Sequence, residues 1–377
     1  MEIKRAYKFR FYPTDEQKEK LAQTFGCARF AYNYMLKARA DAYYNEQKRI
    51  GYHETSALLT QLKKQDEYSW LNNVSSVPVQ QALRHLQTAF GNFFAKRNKY
   101  PNFKSKFDKQ SAEYTASAFK FENGVLTLAK MKEPLPIKWS RTLPKAAKLT
   151  TVTVSKDCAG RYFVSLLCDD AVPAQAASES KIGVDLGLTD FAVTSTGSKY
   201  QSPKSLRNNL DKLALLQKRL SKKKKGSSNR NKARLKVAKL HAKITDARKD
   251  FLHKLSTKLI NENQVIAVES LAVSNMLKNR KLAKSISDAG WSEFLRQLEY
   301  KAKWYGRTLI GIDKWYPSSK RCNACGYMLS TLSLNTRTWV CPDCKTTHDR
   351  DVNAAKNILT AGLAGLAFGE NVSPVCI

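Results

Sequence analysis

The sequence predicts a multidomain protein that joins an α+β part to an α/β part. Between residues 113 and 168 apolar residues recur at every second position, which is typical of antiparallel strands. From residue 181 onward, short apolar runs alternate with long helical stretches, which is typical of a largely parallel sheet. The low-complexity segment AVPAQAASES, residues 171–180, is the clearest boundary between them. A length of 377 residues fits two or three domains.

The charge balance indicates a polyanionic partner. The chain has 65 Lys and Arg residues against 32 Asp and Glu residues, a formal net charge of +33. This excess is spread over several segments and is more than solubility requires, so nucleic acid is the simplest partner. An anionic membrane is the alternative, but no basic amphipathic terminal helix or lipidation signal supports it. The sequence shows neither a long apolar run nor a secretion signal, so we expect a cytoplasmic protein without a membrane partner.

The chain opens with a predicted strand and a predicted helix. Residues 1–11 alternate between aromatic and basic side chains, which predicts a strand with one basic face. After Pro13, Thr14 and Gln17 form a capping box that begins a helix. The apolar stripe of this helix consists of Leu21, Phe25, Ala28, Tyr32 and Met35.

Further helices are predicted to about residue 99, and a small all-β unit follows. Between them, the segment PNFKSKF, residues 101–107, interleaves aromatic and basic residues, which indicates either a surface that stacks on nucleic acid or ordinary core aromatics beside exposed lysines. The Asn123-Gly124 pair predicts a tight hairpin turn. LTTVTVS and RYFVSLLC predict two strands joined near Gly160, and the opening strand can belong to the same unit.

The second half alternates strands with helices. Strands are predicted at 181–186, at 191–195, in VIAVES and in TLIGID. A basic helical stretch from 205 to 261 is interrupted by SKKKKGSSNRNK, whose glycine and serines predict the tip of a helical hairpin. An amphipathic helix is predicted at 291–305 and a final helix from about residue 352.

Three carboxylates stand beside apolar strands or at a helix start, in the order that an RNase H-like fold requires. They are Asp185 in IGVDLG, Glu269 in VIAVES and Asp351 in HDRDVNAAKNI. Two Mg²⁺ ions held by such carboxylates activate a water and stabilise a departing 3′ oxygen, and hard oxygen ligands suit magnesium. Any one of these residues alone is more often a turn residue or a cap, and Asp349 is an alternative to Asp351.

Four of the eight cysteines form two tight pairs. Cys322-x-x-Cys325 and Cys341-x-x-Cys344 are separated by fifteen residues, which predicts two knuckles around one structural, tetrahedral Zn²⁺. Free or redox-active cysteines are the weaker alternative. We expect His348, just outside this cluster, to pack or hydrogen-bond and not to bind the metal.

Five motifs in fixed order carry a resemblance to a known family: KFRFYPTDEQ, GVDLGLTDFAV, SISDAGWSEFLRQLEYKAKWYG, PSSKRCNACG and HDRDVNAAKNIL. Over nearly its whole length the chain resembles the TnpB (OrfB) proteins encoded by bacterial insertion sequences, which are relatives of the type V CRISPR effectors. The resemblance implies a bacterial or archaeal RNA-guided DNA endonuclease. Its guide RNA would come from the transposon end, and base pairing would select a double-stranded DNA target beside a short motif.

The resemblance also assigns residues. Asp185, Glu269 and Asp351 match the catalytic RuvC triad that holds two Mg²⁺, and the four paired cysteines match a zinc ribbon. Tyr52 and Gln80 fall where similar proteins contact the target-adjacent motif.

The resemblance also implies a full set of domain boundaries, whereas the residue pattern alone indicates one clear boundary at 171–180. They are a β-barrel wedge domain at 1–13 and 111–170, a helical recognition domain inserted at 14–110, a linker at 171–180, an RNase H-like RuvC domain at 181–319 and 347–365, an inserted zinc ribbon at 320–346 and a C-terminal tail at 366–377.

Two other functions use much of the same chemistry. A transposase makes strand transfers with a similar metal pair. A nuclease-inactive RNA-guided protein binds DNA as a regulator, although binding alone has no use for three metal-directed carboxylates.

Overall fold

The computed structural model describes residues 2–144, 148–173, 175–333 and 335–367. The chain divides into two compact units, here called the N-terminal unit, Glu2–Ala171, and the C-terminal unit, from Val172 onward. Most of the predicted tail at 366–377 lies outside the described residues. No helix in the described ranges is both long enough and apolar enough to cross a membrane.

Among its described residues, the N-terminal unit combines three α-helices with seven strands. In chain order these are β1 Glu2–Phe11, α1 Asp15–Glu46, α2 Tyr52–Leu62, α3 Ser76–Phe94, β2 Gln110–Thr115, β3 Phe119–Glu122, β4 Val125–Leu128, β5 Ile137–Lys138, β6 Lys148–Lys156 and β7 Tyr162–Ala171.

Local sequence signals give the expected elements in this unit. Thr14 accepts a hydrogen bond from the Gln17 backbone, and the Gln17 side chain accepts one from Thr14, which completes the predicted capping box at α1. Asn123 and Gly124 join β3 to β4 with φ of 50° and 79°, the left-handed values that a tight hairpin turn needs. Leu21 of α1 packs in the sheet core, and Met35 lies in a second core among the helices.

The predicted β-barrel is wrong for the described strands. They form an open, antiparallel five-stranded sheet in the order β2-β6-β7-β1-β5, and its edge strands β2 and β5 do not pair with each other. One cause is that β5 has only two residues, which pair with Arg10 and Phe11. At the other edge, α1 and α3 pack against β2. The β3–β4 hairpin adds Leu126 and Leu128 to the sheet core without joining the sheet.

The C-terminal unit has six α-helices and seven strands among its described residues. They are β8 Lys181–Leu186, β9 Ala192–Thr194, β10 Lys199–Tyr200, α4 Leu210–Ser221, α5 Ser228–Glu262, β11 Val265–Glu269, α6 Val273–Met276, α7 Ala283–Ala289, α8 Trp291–Tyr305, β12 Thr308–Ile312, β13 Thr338–Val340, β14 Thr347–Asp349 and α9 Arg350–Ala367.

A mixed sheet in the order β10-β9-β8-β11-β12 organises this unit, with β8, β11 and β12 parallel. Helices α5 and α8 cover one face, where Ile266 and Val268 of β11 are buried. Helix α9 covers the other face and packs on Ala267. Because successive strand residues point to opposite faces, every second residue of β8 and β11 faces α9.

Helix α9 lies unusually close to the sheet. A Cβ added to Gly183 of β8 would stand 2.1 Å from the Ala355 carbonyl oxygen, and one added to Gly362 would stand 2.8 Å from the Ala267 Cβ. Only glycine permits this approach of helix and sheet. The position of α9 is therefore fixed against β8 and β11.

Candidate active site and metal centre

Asp185 and Glu269 lie side by side at the carboxyl ends of β8 and β11. Val184 pairs with Val268 in the parallel register, so the next residues along each strand are Asp185 and Glu269. Neighbouring strands lie about 4.8 Å apart, and both residues alternate onto the α9 face. The chain leaves β8 toward β9 on one side while β11 lies on the other, and such a switch point at the carboxyl ends of strands is a usual place for a site.

Asp351 reaches the same face from the first turn of α9. Ala355, one turn later, is the residue that meets Gly183, and Gly183 stands two residues before Asp185 on β8. The close packing of α9 therefore brings the helix start to the carboxyl ends of the strands. The three acids that the sequence singled out are gathered in one region of the C-terminal unit.

Burial disfavours the charged forms of two of these acids. Burial raises the pKa of Asp185 well above its usual value, and the charges of Glu269 and Asp351 raise it further, opposed by Arg350. Burial also raises the pKa of Glu269, against a hydrogen bond from the Ser318 hydroxyl. Repelling carboxylates in a poorly solvated place fit a bound divalent cation.

The three carboxylates are spaced more widely than a single tight ligand set. Within the described ranges, only the four cysteines place ligand atoms of three or more residues all within 4.8 Å of one another.

Two polar side chains contact the acids in the structure, and the sequence did not predict these contacts. The Ser318 hydroxyl donates to Glu269 Oε1 at 2.8 Å, and Arg337 Nη1 lies 3.3 Å from Asp351 Oδ2. Ser318 lies 49 residues from Glu269 and Arg337 lies 14 residues from Asp351, so periodicity and local spacing do not indicate either contact.

Asp349, the alternative to Asp351, has a different role. Its Oδ1 accepts hydrogen bonds from the backbone N–H groups of Asp351 and Val352, which makes it a cap at the start of α9. Its Oδ2 also pairs with Lys199 Nζ at 2.6 Å, and these contacts lower its pKa. Asp349 therefore positions the first turn of the helix that carries Asp351.

The four paired cysteines converge as the spacing predicted. Their sulfurs lie within 4.8 Å of one another, with 3.6 Å between Cys322 and Cys344 and 3.6 Å between Cys325 and Cys341. A tetrahedron of sulfurs about 2.3 Å from a zinc ion has edges of about 3.8 Å, so the cluster fits Zn²⁺. The four thiolates would fill the coordination sphere, which is typical of a structural site.

His348 packs and hydrogen-bonds beside the cysteine cluster, while the expectation that it does not bind the metal stays a prediction. Its Nε2 lies 3.0 Å from Cys322 Sγ, and its ring packs against Trp339 at 4.7 Å between centroids. The histidine thus contacts a ligand sulfur and supports the first knuckle.

Two buried asparagines of α9 tie the cysteine cluster to the acidic site. Asn353 accepts a hydrogen bond from the Asn323 backbone N–H, and Asn357 donates to the carbonyl oxygens of Ser318 and Arg321. Four residues apart, both lie on one face of the helix. The knuckle that holds Cys322 is therefore connected through α9 to Asp351 and to the loop that carries Ser318.

Tyr52 and Gln80, the predicted contacts to the target-adjacent motif, lie in the N-terminal unit. Tyr52 begins α2, and the Arg84 guanidinium of α3 lies 5.2 Å from its ring centroid. Gln80 is exposed one turn before Arg84 on α3. Their role in DNA contact stays a prediction.

Comparison with known proteins decides the family. A relative from Streptomyces pristinaespiralis, named "Putative RNA-guided DNA endonuclease", is 57% identical over 374 residues, covering 99% of this chain and 93% of the relative. The chain belongs to the TnpB (OrfB) family. A second relative, from Escherichia coli, carries the same name with the suffix InsQ and is 32% identical, with 97% of this chain and 94% of the relative covered.

Three family models match successive parts of this TnpB-family chain. Their descriptions are "Helix-turn-helix domain" for residues 1–48, "Probable transposase" for 151–280 and "Cas12f1-like, TNB domain" for 291–358. In the structure, the first of these regions contains β1 and α1. Helix α1 has 32 residues and continues without a turn to Glu46. The described residues there do not form a helix-turn-helix.

The fold is also that of a solved structure. The chain of a structure described as "Cryo-EM structure of the Cas12f1-sgRNA-target DNA complex" matches with a TM-score of 0.57 at 14% identity, covering 95% of this chain and 98% of that one. The TnpB-family chain therefore has a mixed α/β, Cas12f1-like fold.

Proposed function

We propose that this protein is an RNA-guided DNA endonuclease that cleaves phosphodiester bonds at a single RuvC-like site formed by Asp185, Glu269 and Asp351. The observation that carries the proposal is the gathering of three carboxylates at the carboxyl ends of β8 and β11 and the start of α9, where the charges of Glu269 and Asp351 act on Asp185. The names of the two relatives supply the activity class.

The chemistry of the acids supports magnesium as the cofactor. Two bound Mg²⁺ would supply an activated water and stabilise the leaving 3′ oxygen. Asp185, whose carboxylate feels the charges of both other acids, would help to hold both ions, while Glu269 and Asp351 would each hold one. The Ser318 hydroxyl fixes the orientation of the Glu269 carboxylate, and Arg337 balances the charge of Asp351.

The guide and the target are RNA and DNA. The solved Cas12f1 structure contains a guide RNA and target DNA by its description, and the +33 charge of this chain suits two polyanions. We propose that the RNA is transcribed from the end of the transposable element and that base pairing selects a double-stranded target next to a short motif. Tyr52 and Gln80 are the proposed contacts to that motif.

The proposed domains follow the two units. Residues 1–13 and 111–170 form the wedge domain as an open sheet, with the helical recognition domain inserted at 14–110. After the linker at 171–180, the RuvC-like domain spans 181–319 and 347–365 around a structural zinc ribbon at 320–346. The mixed sheet, with its acids at the switch point, supports the RuvC-like assignment.

The decisive test is cleavage by the protein with the RNA that it retains on purification. That RNA is sequenced, and a plasmid is built with the matching target beside randomised positions. We expect RNA-dependent double-strand cuts with Mg²⁺. Asp185→Ala should lower the rate at least about 1000-fold, since the lost ligand removes several kcal/mol of transition-state charge stabilisation.

Asp211→Ala is the matched control, because Asp211 is an exposed aspartate of the same unit on α4. Cutting that survives in Asp185→Ala, or that needs no RNA, would overturn the proposal. Strand-joined products would identify a transposase, and tight RNA-dependent binding without cuts would identify a regulator.

A further inference from the structure

The helical part of the N-terminal unit contains a cavity of about 510 Å³ that none of the proposed catalytic or motif-reading residues occupies. Its walls come from the end of α1, the following segment up to Gly51, the last turns of α3 and Tyr100. The lining combines aromatic rings with three cationic side chains, Arg39, Lys48 and Arg49.

Arg39 makes the cavity a built polar site. The side chain is buried, with 7% of the residue exposed, and its Nη2 donates to Gln87 Oε1 at 2.6 Å. Its guanidinium lies 4.9 Å from the Phe90 centroid, while its Nε has no hydrogen-bond partner. Within the described ranges no carboxylate forms an ion pair with it. Because this Nε is shielded by the protein and unpaired, burial of the guanidinium is costly, and an acceptor at its remaining N–H groups would stabilise it.

The aromatic walls are exposed in a way that suits a flat ligand. Phe94 is 64% exposed although its ring stacks near Phe90, with 6.1 Å between centroids. The Tyr100 ring meets Phe93 edge to face at 5.4 Å. Arg49 lies 6.0 Å from the Phe94 centroid and adds positive charge at the rim. Aromatic rings can stack on unpaired bases, and neighbouring cationic side chains can contact the phosphates of the same nucleotides.

We propose that this cavity binds an unpaired nucleobase of a single-stranded nucleic acid, which enters between the aromatic rings while Arg39 donates to its acceptor edge and Lys48 and Arg49 contact the adjoining phosphates. The inference rests on the proposed function only in taking nucleic acid as the partner. A base held in a duplex cannot enter, so the site acts on a nucleotide that is out of its stack.

Gly91 allows the cavity to be filled without changing its charge. It lies on α3 in the cavity wall, and open space surrounds the position of an added Cβ. Gly91→Leu should therefore occupy the cavity, and it also replaces a helical glycine by a better helix former, so the fold is retained. Phe94→Ala removes one exposed ring. Tyr12→Ala is the control, since Tyr12 is 60% exposed in the same unit but outside the cavity.

The experiment measures binding of fluorescein-labelled RNA and DNA hexamers of mixed sequence, and of a blunt duplex of equal length, to the full chain freed of nucleic acid. Anisotropy is recorded at 0.2 M salt, where unspecific phosphate contacts are weak. We expect Gly91→Leu and Phe94→Ala to weaken binding of a hexamer about 5- to 100-fold and Tyr12→Ala to leave it unchanged. Ultraviolet crosslinks from an iodouridine hexamer should map to the Phe94 or Tyr100 peptides.

The two hexamers identify the source of the base: tighter RNA binding assigns it to the guide, and tighter DNA binding to the target strand. Unchanged hexamer affinity in Gly91→Leu, an equal loss in Tyr12→Ala, or the same Gly91→Leu sensitivity for the duplex would overturn the inference. Asp185→Ala should bind hexamers normally, so a failure of the cleavage proposal and a failure of this one are separate results.

Discussion

The C-terminal unit contains two clusters of side chains that commonly bind metals, and the two clusters differ in how they are assembled. The four cysteine sulfurs come from one short stretch of chain and lie within 4.8 Å of one another. The three carboxylates come from two strands and a helix that are far apart in sequence, and they repel each other. The first arrangement serves to fold its own segment, while the second has to be held in place by the rest of the unit.

Under the proposed function, the cysteine cluster serves stability and the acidic cluster serves activity. Zinc binding to thiolates is folding free energy for the ribbon. Buried carboxylates cost stability until a cation arrives. Removing a ligand should therefore destabilise the protein at one cluster and stabilise the metal-free protein at the other.

The largest effect is expected at the cysteine cluster. Cys341→Ser should lose the zinc and unfold the ribbon, because structural zinc contributes on the order of 10 kcal/mol to folding of small zinc domains. Elemental analysis should fall from about one zinc per chain to none, and amide exchange at 320–346 should become fast. Cys158→Ser, at an exposed cysteine in the N-terminal unit, is the control. Retained protection without zinc would show that packing alone folds the ribbon.

A smaller effect of opposite sign is expected at the acidic site. Asp185→Asn removes a buried charge that Glu269 and Asp351 repel, so it should raise the melting temperature in EDTA by about 2–4 °C, corresponding to roughly 1 kcal/mol. Added Mg²⁺ should stabilise only the unmodified protein, because binding to the folded state alone shifts stability. A lower melting temperature of the variant in EDTA would contradict the view that the acids are strained without metal.

A third effect, of about the same size as the second, tests the cost of burying a charge with a cation. Lys301 is buried on α8 and donates to Ser256 Oγ and Thr257 Oγ1, and burial lowers its pKa to about 8. Between pH 8 and its usual pKa near 10.4, the unfolded chain binds more protons, so this group makes the protein more stable as pH rises. The variant Lys301→Met lacks this pH-dependent gain. Across that window, its free energy of unfolding should therefore fall relative to that of the unmodified protein by on the order of 1 kcal/mol in denaturant titrations. A pH-independent difference would contradict the shift.

Elements with short-range signals were predicted well from the sequence. The capping box at Thr14, the hairpin at Asn123-Gly124, the helix at 291–305 and the cysteine spacing all depend on residues within a few positions of one another or on one periodic pattern. Such signals lie within a short stretch of sequence, so they can be identified without knowledge of the fold.

Features that depend on contacts between distant residues were not predictable in this way. A barrel closes only if its two edge strands pair. Here the sheet stays open, because β5 has only two residues and helices pack beside β2. The same limit hid Ser318 at Glu269, Arg337 at Asp351 and the buried Lys301, because each meets its partner through tertiary packing. The three acids lie at two strand ends and a helix start, as the sequence indicated, and their catalytic role stays a prediction.

Gly183 bears on which members of this family are active nucleases and which are inactive. Because its missing methyl group lets α9 sit against β8, any side chain there would displace the helix start from the strand ends while leaving all three acids unaltered. We expect such a copy to be an inert remnant despite its intact acids. A genomic census that counts only the acids would therefore overestimate how many of these genes still cut.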